Sequence, residues 1–313
     1  MKTPFLPGLL PKNCVFLTCS SHEGRCRGIT SRIGEWRPDA VVIFHYDDPN
    51  PRRESNHQAM EADLCAVGIQ SLSLRVTEGS AAKSLRDNIT KLVQVLNLHS
   101  NATIVFDISV LTKRHLLMMF RWLDDQELWS RIIFVYTEPE DYDVSRYIPL
   151  SFGLSTVQQI PGLPACADLS RPLHLVLFLG YEGDRALAVY EHVQPMQTTL
   201  ALPSPPYKPS WIGRTEVLNA DLLAIVGKHL AERVEPIDPA AVRNSLAKIL
   251  GPESERSQFS RVISPLGTKP QTLGIYSYIR KCIDPPAIVY ASPLRHNHEF
   301  FSHGIGNSWI LQD

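Results

Sequence analysis

The sequence predicts an α/β protein built from two tandem Rossmann-like units, each a doubly wound sheet of mainly parallel strands. Three observations predict it. Short apolar runs alternate with segments of helical spacing along the whole chain, and the runs are apolar at successive positions, as in strands covered on both faces. Landmark residues of the first half also recur, in the same order, in the second. A chain of 313 residues has room for about two domains.

The elements follow in order. In the first half Val15–Thr18 reads as a strand, then a helical stretch near Arg25–Ile33 and the strand Val41–Phe44. A polar helix is expected over Glu54–Leu64 and a strand over Ser71–Val76. Leu85, Ile89, Leu92, Val93 and Leu96 recur at the spacing of one helix face. Thr103–Phe106, a helix over Arg114–Leu123 and Ile132–Tyr136 complete about five strands. The second half opens with Leu175–Leu179, a helix over Arg185–His192 and the strand Thr198–Leu202. Helices are expected over Thr215–Val226 and Pro239–Leu250, then the strand Arg261–Ser264, a helix over Pro270–Arg280 and the strand Ala287–Ala291.

The correspondence between halves reaches single residues. A polar turn ending in Arg follows each first strand, Ser20–Arg25 against Gly180–Arg185, with Arg25 and Arg185 offset by 160. Thr112-Lys113 and Thr268-Lys269 open equivalent helices at an offset of 156. Glu138-Pro139 answers Ser292-Pro293 at 154, and Ser151-Phe152-Gly153-Leu154 answers Ser302-His303-Gly304-Ile305 at 151. A steadily drifting offset is what an old tandem duplication leaves. Residues 161–172 hold three prolines and no periodicity, so they are expected to link a first half of residues 1–160 to a second of 173–313. The expected assembly is a pseudo-two-fold pair within one chain.

Composition excludes several classes. With 31 basic against 32 acidic residues and a net charge of -1, bulk electrostatic attraction to duplex nucleic acid or an anionic membrane is not expected. No apolar run reaches the roughly 18–20 residues that span a bilayer, and the opening MKTPFLPGLLPKN makes a poor signal peptide. Six cysteines without a CxxC pair fit a reducing compartment, so a cytoplasmic protein is expected.

In such sheets ligands bind beyond the carboxyl ends of the strands. The sharpest candidate there is Ser264-Pro265-Leu266-Gly267-Thr268-Lys269-Pro270, where a turn opens a helix. Backbone N–H groups at a helix start attract anions, Thr268 offers a hydroxyl and Lys269 a charge. A plain helix start with an exposed Lys is the alternative. In the turn Gly180–Arg185, Gly180 and Gly183 allow close approach, Arg185 suits phosphate, and Glu182 or Asp184 suits ribose hydroxyls; alternatively Asp184 caps the helix and pairs with Arg185. Ser20, Ser21, Glu23 and Arg25 form the first half's matching set, with Thr112 and Lys113. Tyr207 or Trp211, in a proline-rich loop, would stack on a base or simply stiffen a surface connection. GxGxxG, GxxxxGK[ST] and GxSxG are all absent, which disfavours NAD, an ATPase P-loop and a serine hydrolase. The run Arg295–His303 holds three histidines at a spacing that matches no strong zinc signature. No metal and no cofactor is expected.

The text Ile263-Ser264-Pro265-Leu266-Gly267-Thr268-Lys269-Pro270 resembles the Gly-Thr-Lys motif of the CRISPR-associated Rossmann-fold (CARF) sensors. The resemblance implies that Gly267, Thr268 and Lys269 contact a cyclic oligoadenylate opposite the Gly180–Arg185 turn. The first half departs from it, since Leu111 stands before Thr112-Lys113 where the motif has Gly. The expected function is a sensor of a nucleotide or cyclic oligonucleotide in bacterial antiviral defence. Its ligand would lie in the cleft between the fused halves, and a separate effector or complex subunit would read the signal. An enzyme cleaving or transferring a phosphorylated nucleotide, with Lys269, Arg185 and Arg25 stabilising charge, is the first alternative. A structural subunit of a defence or nucleic-acid-processing complex is the second.

Overall fold

The computed structural model describes residues 2–142, 148–163, 168, 170–252, 258–299 and 301–312. In chain order the elements are β1 (Lys2–Pro4), β2 (Cys14–Ser20), β3 (Ala40–Tyr46), α1 (Pro51–Ala66), β4 (Ser71–Val76), α2 (Ala81–Leu98), β5 (Thr103–Asp107), α3 (Lys113–Asp125), β6 (Ile132–Thr137) and β7 (Asp141–Tyr142). Next come β8 (Ser151–Gln159), β9 (Leu173–Phe178), α4 (Gly183–Val193), β10 (Gln197–Pro203), α5 (Arg214–Leu218), α6 (Ala220–Val226), β11 (Ala231–Val234), α7 (Pro239–Leu250) and β12 (Ser260–Pro265). The chain closes with α8 (Lys269–Ile279), β13 (Ala287–His296), β14 (Ser302–His303) and β15 (Ser308–Leu311).

Two compact units result, and the first takes its closing piece from the far end of the chain. The first comprises Lys2–Asp143 with Ser302–Gln312; the second is Val144–Phe301. This differs from the division expected at residues 161–172. The segment expected to close the first half, β8, instead runs antiparallel to β13 in the second sheet, while β15 runs antiparallel to β6 in the first. Of the expected linker, residues 164–167 and 169 lie outside the described residues.

The first sheet has the order β1-β15-β6-β5-β2-β3-β4 and the second β11-β10-β9-β12-β13-β8. Pairing is parallel from β6 to β4 and from β11 to β13. Read from the central strand outward, β2, β3, β4, β5, β6 and β15 therefore stand where β9, β10, β11, β12, β13 and β8 stand. All seven residues of β2 are buried, and β9 is buried after its first residue. That explains why both read as continuous apolar runs rather than alternating ones.

In the first unit α2 packs on β4 and α3, and α1 on β2 and two short 3-10 turns. Phe120 anchors the α3 side, its ring centroid 5.4 Å from Phe134, 5.8 Å from Trp129 and 6.0 Å from Phe106. Edge-on pairs of this kind add about 0.5–1.5 kcal/mol each beyond area burial. In the second unit α4 packs on β9 and β13, and α7 on α8.

Two expected elements change form and one strand is added. Cys26, Ile29 and Ile33 are buried at helical spacing, but Arg25–Ile33 forms 3-10 turns, Gly24–Arg27 and Thr30–Arg32. Gly24, Gly28 and Gly34 leave this stretch little helix propensity, at about 1 kcal/mol each against Ala. The helix over Thr215–Val226 breaks at Asn219 (φ −113, ψ 23), whose Nδ2 donates to the Thr215 carbonyl and to the Gly180 carbonyl, both at 2.8 Å. Beyond it the four-residue β11 adds a fifth parallel strand that its charged sequence AERV did not announce.

Candidate functional site

In both sheets the parallel strands start at the central strand, fill one side, then return to fill the other. The winding thus reverses between β2 and β5, and between β9 and β12, and carboxyl-end loops diverge there. The sequence-selected residues lie at these two points: Ser20–Arg25 and Thr112-Lys113 in the first unit, Gly180–Arg185 and Ser264–Lys269 in the second.

In the second unit the two turns touch. A Cβ on Gly180 would collide with the Leu266 carbonyl oxygen, so only glycine lets these strands' ends close up here. Thr268 is the N-cap of α8 in a full capping box. Its Oγ1 accepts from the Gln271 N–H at 3.1 Å and donates to the Pro236 carbonyl at 2.5 Å, while Gln271 Oε1 accepts from the Thr268 N–H at 2.9 Å. Thr268 thus spends its hydroxyl on starting the helix, and the half-buried Lys269 follows at the first helical position. Ser264 Oγ is fully buried and has no hydrogen-bond partner among the described residues. Beside the Gly180 turn, Tyr181 and Tyr207 meet the Trp211 ring at 6.2 and 5.8 Å, and Lys208 Nζ and Arg214 Cζ lie over it at 5.7 and 5.8 Å. Trp211 is buried among these partners rather than laid open for a base.

Arg185 has a different occupation from the one its turn suggested. It is 4% exposed; Nε and Nη2 donate to the Ala291 carbonyl at 2.9 and 2.5 Å, and Nη1 pairs with Glu182. Its guanidinium lies 5.0 Å from the Tyr290 ring, and Glu182 also accepts from the Ser151 hydroxyl of β8. Burial opposes this charge most strongly, but the Glu182 carboxylate and Tyr290 together outweigh it and hold the guanidinium's pKa above its ordinary value. Asp184 neither caps the helix nor pairs with Arg185; the N-cap is Glu182, and Asp184 is exposed.

The first unit repeats this arrangement. Arg25, 1% exposed, donates from Nε and Nη2 to Glu23 at 2.9 and 3.2 Å, and from Nη1 to the Thr137 carbonyl at 3.2 Å and the Tyr136 hydroxyl at 3.3 Å. Glu23 Oε2 accepts from the Ser302 hydroxyl at 2.6 Å. Each unit therefore holds a clamp of Ser, Glu, Arg and a strand carbonyl that follows a Tyr. Every member is a sequence landmark or stands beside one, and the Ser comes from the exchanged segment. Elsewhere in the unit Thr112 caps α3, its Oγ1 2.7 Å from His115 Nδ1, and its N–H donates to the Tyr46 hydroxyl at 2.9 Å. Ser20 Oγ lies 3.0 Å from His45 Nδ1. Lys113 is half-buried.

Sequence reasoning missed one polar group at the first switch point. Asp107, at the end of β5, is buried and accepts from Thr18 Oγ1 at 3.1 Å, from the Ser109 N–H at 2.9 Å and from the Ser109 hydroxyl; Ser109 Oγ in turn accepts from the Thr137 N–H at 2.8 Å. Burial raises the Asp107 pKa, and the bonds from Ser109 and Thr18 pull it back. An Asp ending an apolar run was the available signal. Of the histidine run, His296 lies in β13 with its ring 5.5 Å from Phe301, while His303 lies in β14 of the first unit.

No protein-family model and no curated protein matches this chain.

Proposed function

We propose that the protein binds a phosphorylated nucleotide, of the cyclic-oligonucleotide class used in bacterial antiviral defence, and passes the signal to a separate effector. The ligand site is placed at the carboxyl ends of β9 and β12. One observation carries the reading: the Gly180 turn packs directly on the turn that opens α8, so Gly267, Thr268 and Lys269 share one switch point with a glycine-bearing loop. Lys269, at the positive end of α8, supplies the charge for a phosphate, with Lys113 the weaker counterpart in the first unit. Glu23, Arg25, Glu182 and Arg185 serve this function by holding the turns in place. The chain is also read as an internal duplication; the matched strand order and the two Ser–Glu–Arg clamps support it.

A thermal-shift screen against mononucleotides, linear and cyclic oligonucleotides and dinucleotides tests this. A true ligand at about a hundred times its Kd adds about 2.7 kcal/mol. The shift is expected to vanish in Lys269→Ala with the melting curve otherwise unchanged, and mass spectrometry is expected to return the ligand intact. Turnover would replace the sensor with an enzyme. No shift with any member of the panel would sink the nucleotide reading.

A further inference from the structure

The sequence reads one helix over Thr215–Val226, yet the fold makes two short ones, α5 and α6, that part at Asn219. Nothing within the segment asks for a break. Leu218, Leu222, Leu223 and Val226 keep helical spacing, and no glycine or proline lies between Arg214 and Val226. The equivalent helix of the first unit, α1 after β3, runs unbroken for 16 residues.

The break is held from outside, by the turn Gly180–Gly183. Asn219 Nδ2 donates to the Gly180 carbonyl at 2.8 Å and to the Thr215 carbonyl, which the Asn219 N–H also reaches at 3.1 Å. The Leu218 carbonyl, which an unbroken helix would offer to the Leu222 N–H, lies instead against Gly183. A Cβ on Gly183 would collide with that oxygen and stand 3.5 Å from the Asn219 Cα. Asn219 is buried, and its Oδ1 has no hydrogen-bond partner among the described residues. Such an acceptor costs free energy that release to water would recover. The first unit has the tie without the seat. Asn56 Nδ2 in α1 donates to the Ser21 carbonyl at 2.7 Å, while a Cβ on Gly24, the glycine of that turn, would meet nothing within 4 Å.

We propose that the α5–α6 break is a two-state element worked by this turn. With the turn in place, Gly183 seats the Leu218 carbonyl, Asn219 is tied to Gly180, and the helix is broken. With the turn displaced, the seat is lost, Asn219 is released, and α5 and α6 join into one helix of the α1 kind. Its role in signalling rests on the nucleotide reading above: a ligand at the carboxyl ends of β9 and β12 moves the Gly180 turn, and α5–α6 registers the movement.

Amide hydrogen exchange on the intact chain tests the element without any ligand, read at Ala220 and Leu222. An unbroken helix would bond these two N–H groups to the Glu216 and Leu218 carbonyls. Gly183→Ala closes the seat, and Gly183 is not at positive φ, so the alanine fits the backbone there. Asn219→Ala removes the tie and favours helix. Both amides are expected to exchange at least about tenfold more slowly in each variant than in the wild type. Loss of stability alone would speed exchange, so slowing separates joining from damage. A folded variant of either kind in which the two amides exchange as in the wild type overturns the proposal. Should neither variant fold, the wild type decides through exchange in rising denaturant. There the Ala186 amide, bonded to Glu182, and the Asn219 amide, bonded to Thr215, must open at one common free energy, and separate openings overturn the coupling. Failure of the nucleotide reading shows differently, as the absence of any thermal shift.

Discussion

The two clamps are the same device in unlike surroundings, and the difference shows what the fold requires. In the second unit the turn after the central strand runs into a regular helix, α4, and Arg185 lies in its first turn. In the first unit no such helix forms, and Arg25 sits in a glycine-flanked 3-10 turn. Both arginines nevertheless reach the carbonyl one residue past a tyrosine, Thr137 after Tyr136 and Ala291 after Tyr290, and both carboxylates accept from a serine. The helix is dispensable to this join; the Arg–Glu pair and its carbonyl are not. The helix starts differ in the opposite sense. Thr268 shares a capping box with Gln271, whereas Thr112 faces His115 at the same spacing.

The comparison breaks or sharpens under three measurements. The largest effect belongs to the clamps. Arg25→Met and Arg185→Met each leave a carboxylate without its buried partner and are expected to lose about 3–5 kcal/mol in chemical denaturation. A large loss in one unit only would end the equivalence. Next is acid. His115 in the first unit and His174 in the second are pushed down by burial from the ordinary 6.5 to about 4, Arg261 adding to the effect on His174. The unfolded chain takes up these protons first, so stability is complete above about pH 6.5 and drains away as pH falls toward 4, by roughly 3 kcal/mol per histidine. Stability measured from pH 7 to 4 should flatten by one such step in His115→Gln and in His174→Gln; a slope unchanged in both would remove the histidines from the account. Smallest are the caps. Thr268→Ala gives up the capping box and its bond to Pro236 and is expected to cost about 1–2 kcal/mol, against about 0.5–1 for Thr112→Ala. Equal losses in denaturant midpoint would mean that Gln271 adds nothing.

The central strands were legible because burial on both faces writes itself as unbroken apolar text, as in Val15-Phe16-Leu17 or Leu175-Val176-Leu177. The helix starts at Thr112 and Thr268 were legible as a repeated Thr-Lys pair, though not the capping that occupies their hydroxyls. The edges were not. β8, β11 and β15 are short or exposed and carry no strong alternation, and the choice of partner for an edge strand is made far away in the chain. Ser151 and Ser302 were visible as a repeated phrase, yet nothing local tells that each belongs with the other half's arginine. Arg25 and Arg185 misled for a related reason. An arginine in a turn after a first strand looks the same in text whether it meets a phosphate or a carbonyl, and only the burial of the finished fold separates the two.

The exchange of closing strands also sets a timetable for the nascent chain. β1 reaches the first sheet only through β15, because Lys2 pairs with Leu311 and β15 with β6. The first unit therefore emerges from the ribosome first and is finished last, waiting with an open flank at β6 while the whole of the second unit is synthesised. The second unit meets no such delay, since β8 is already made when β13 arrives. A chain that ends between residues 297 and 307 would hold every strand of the second sheet but lack β15, and its unfinished first sheet is what a chaperone would have to shield.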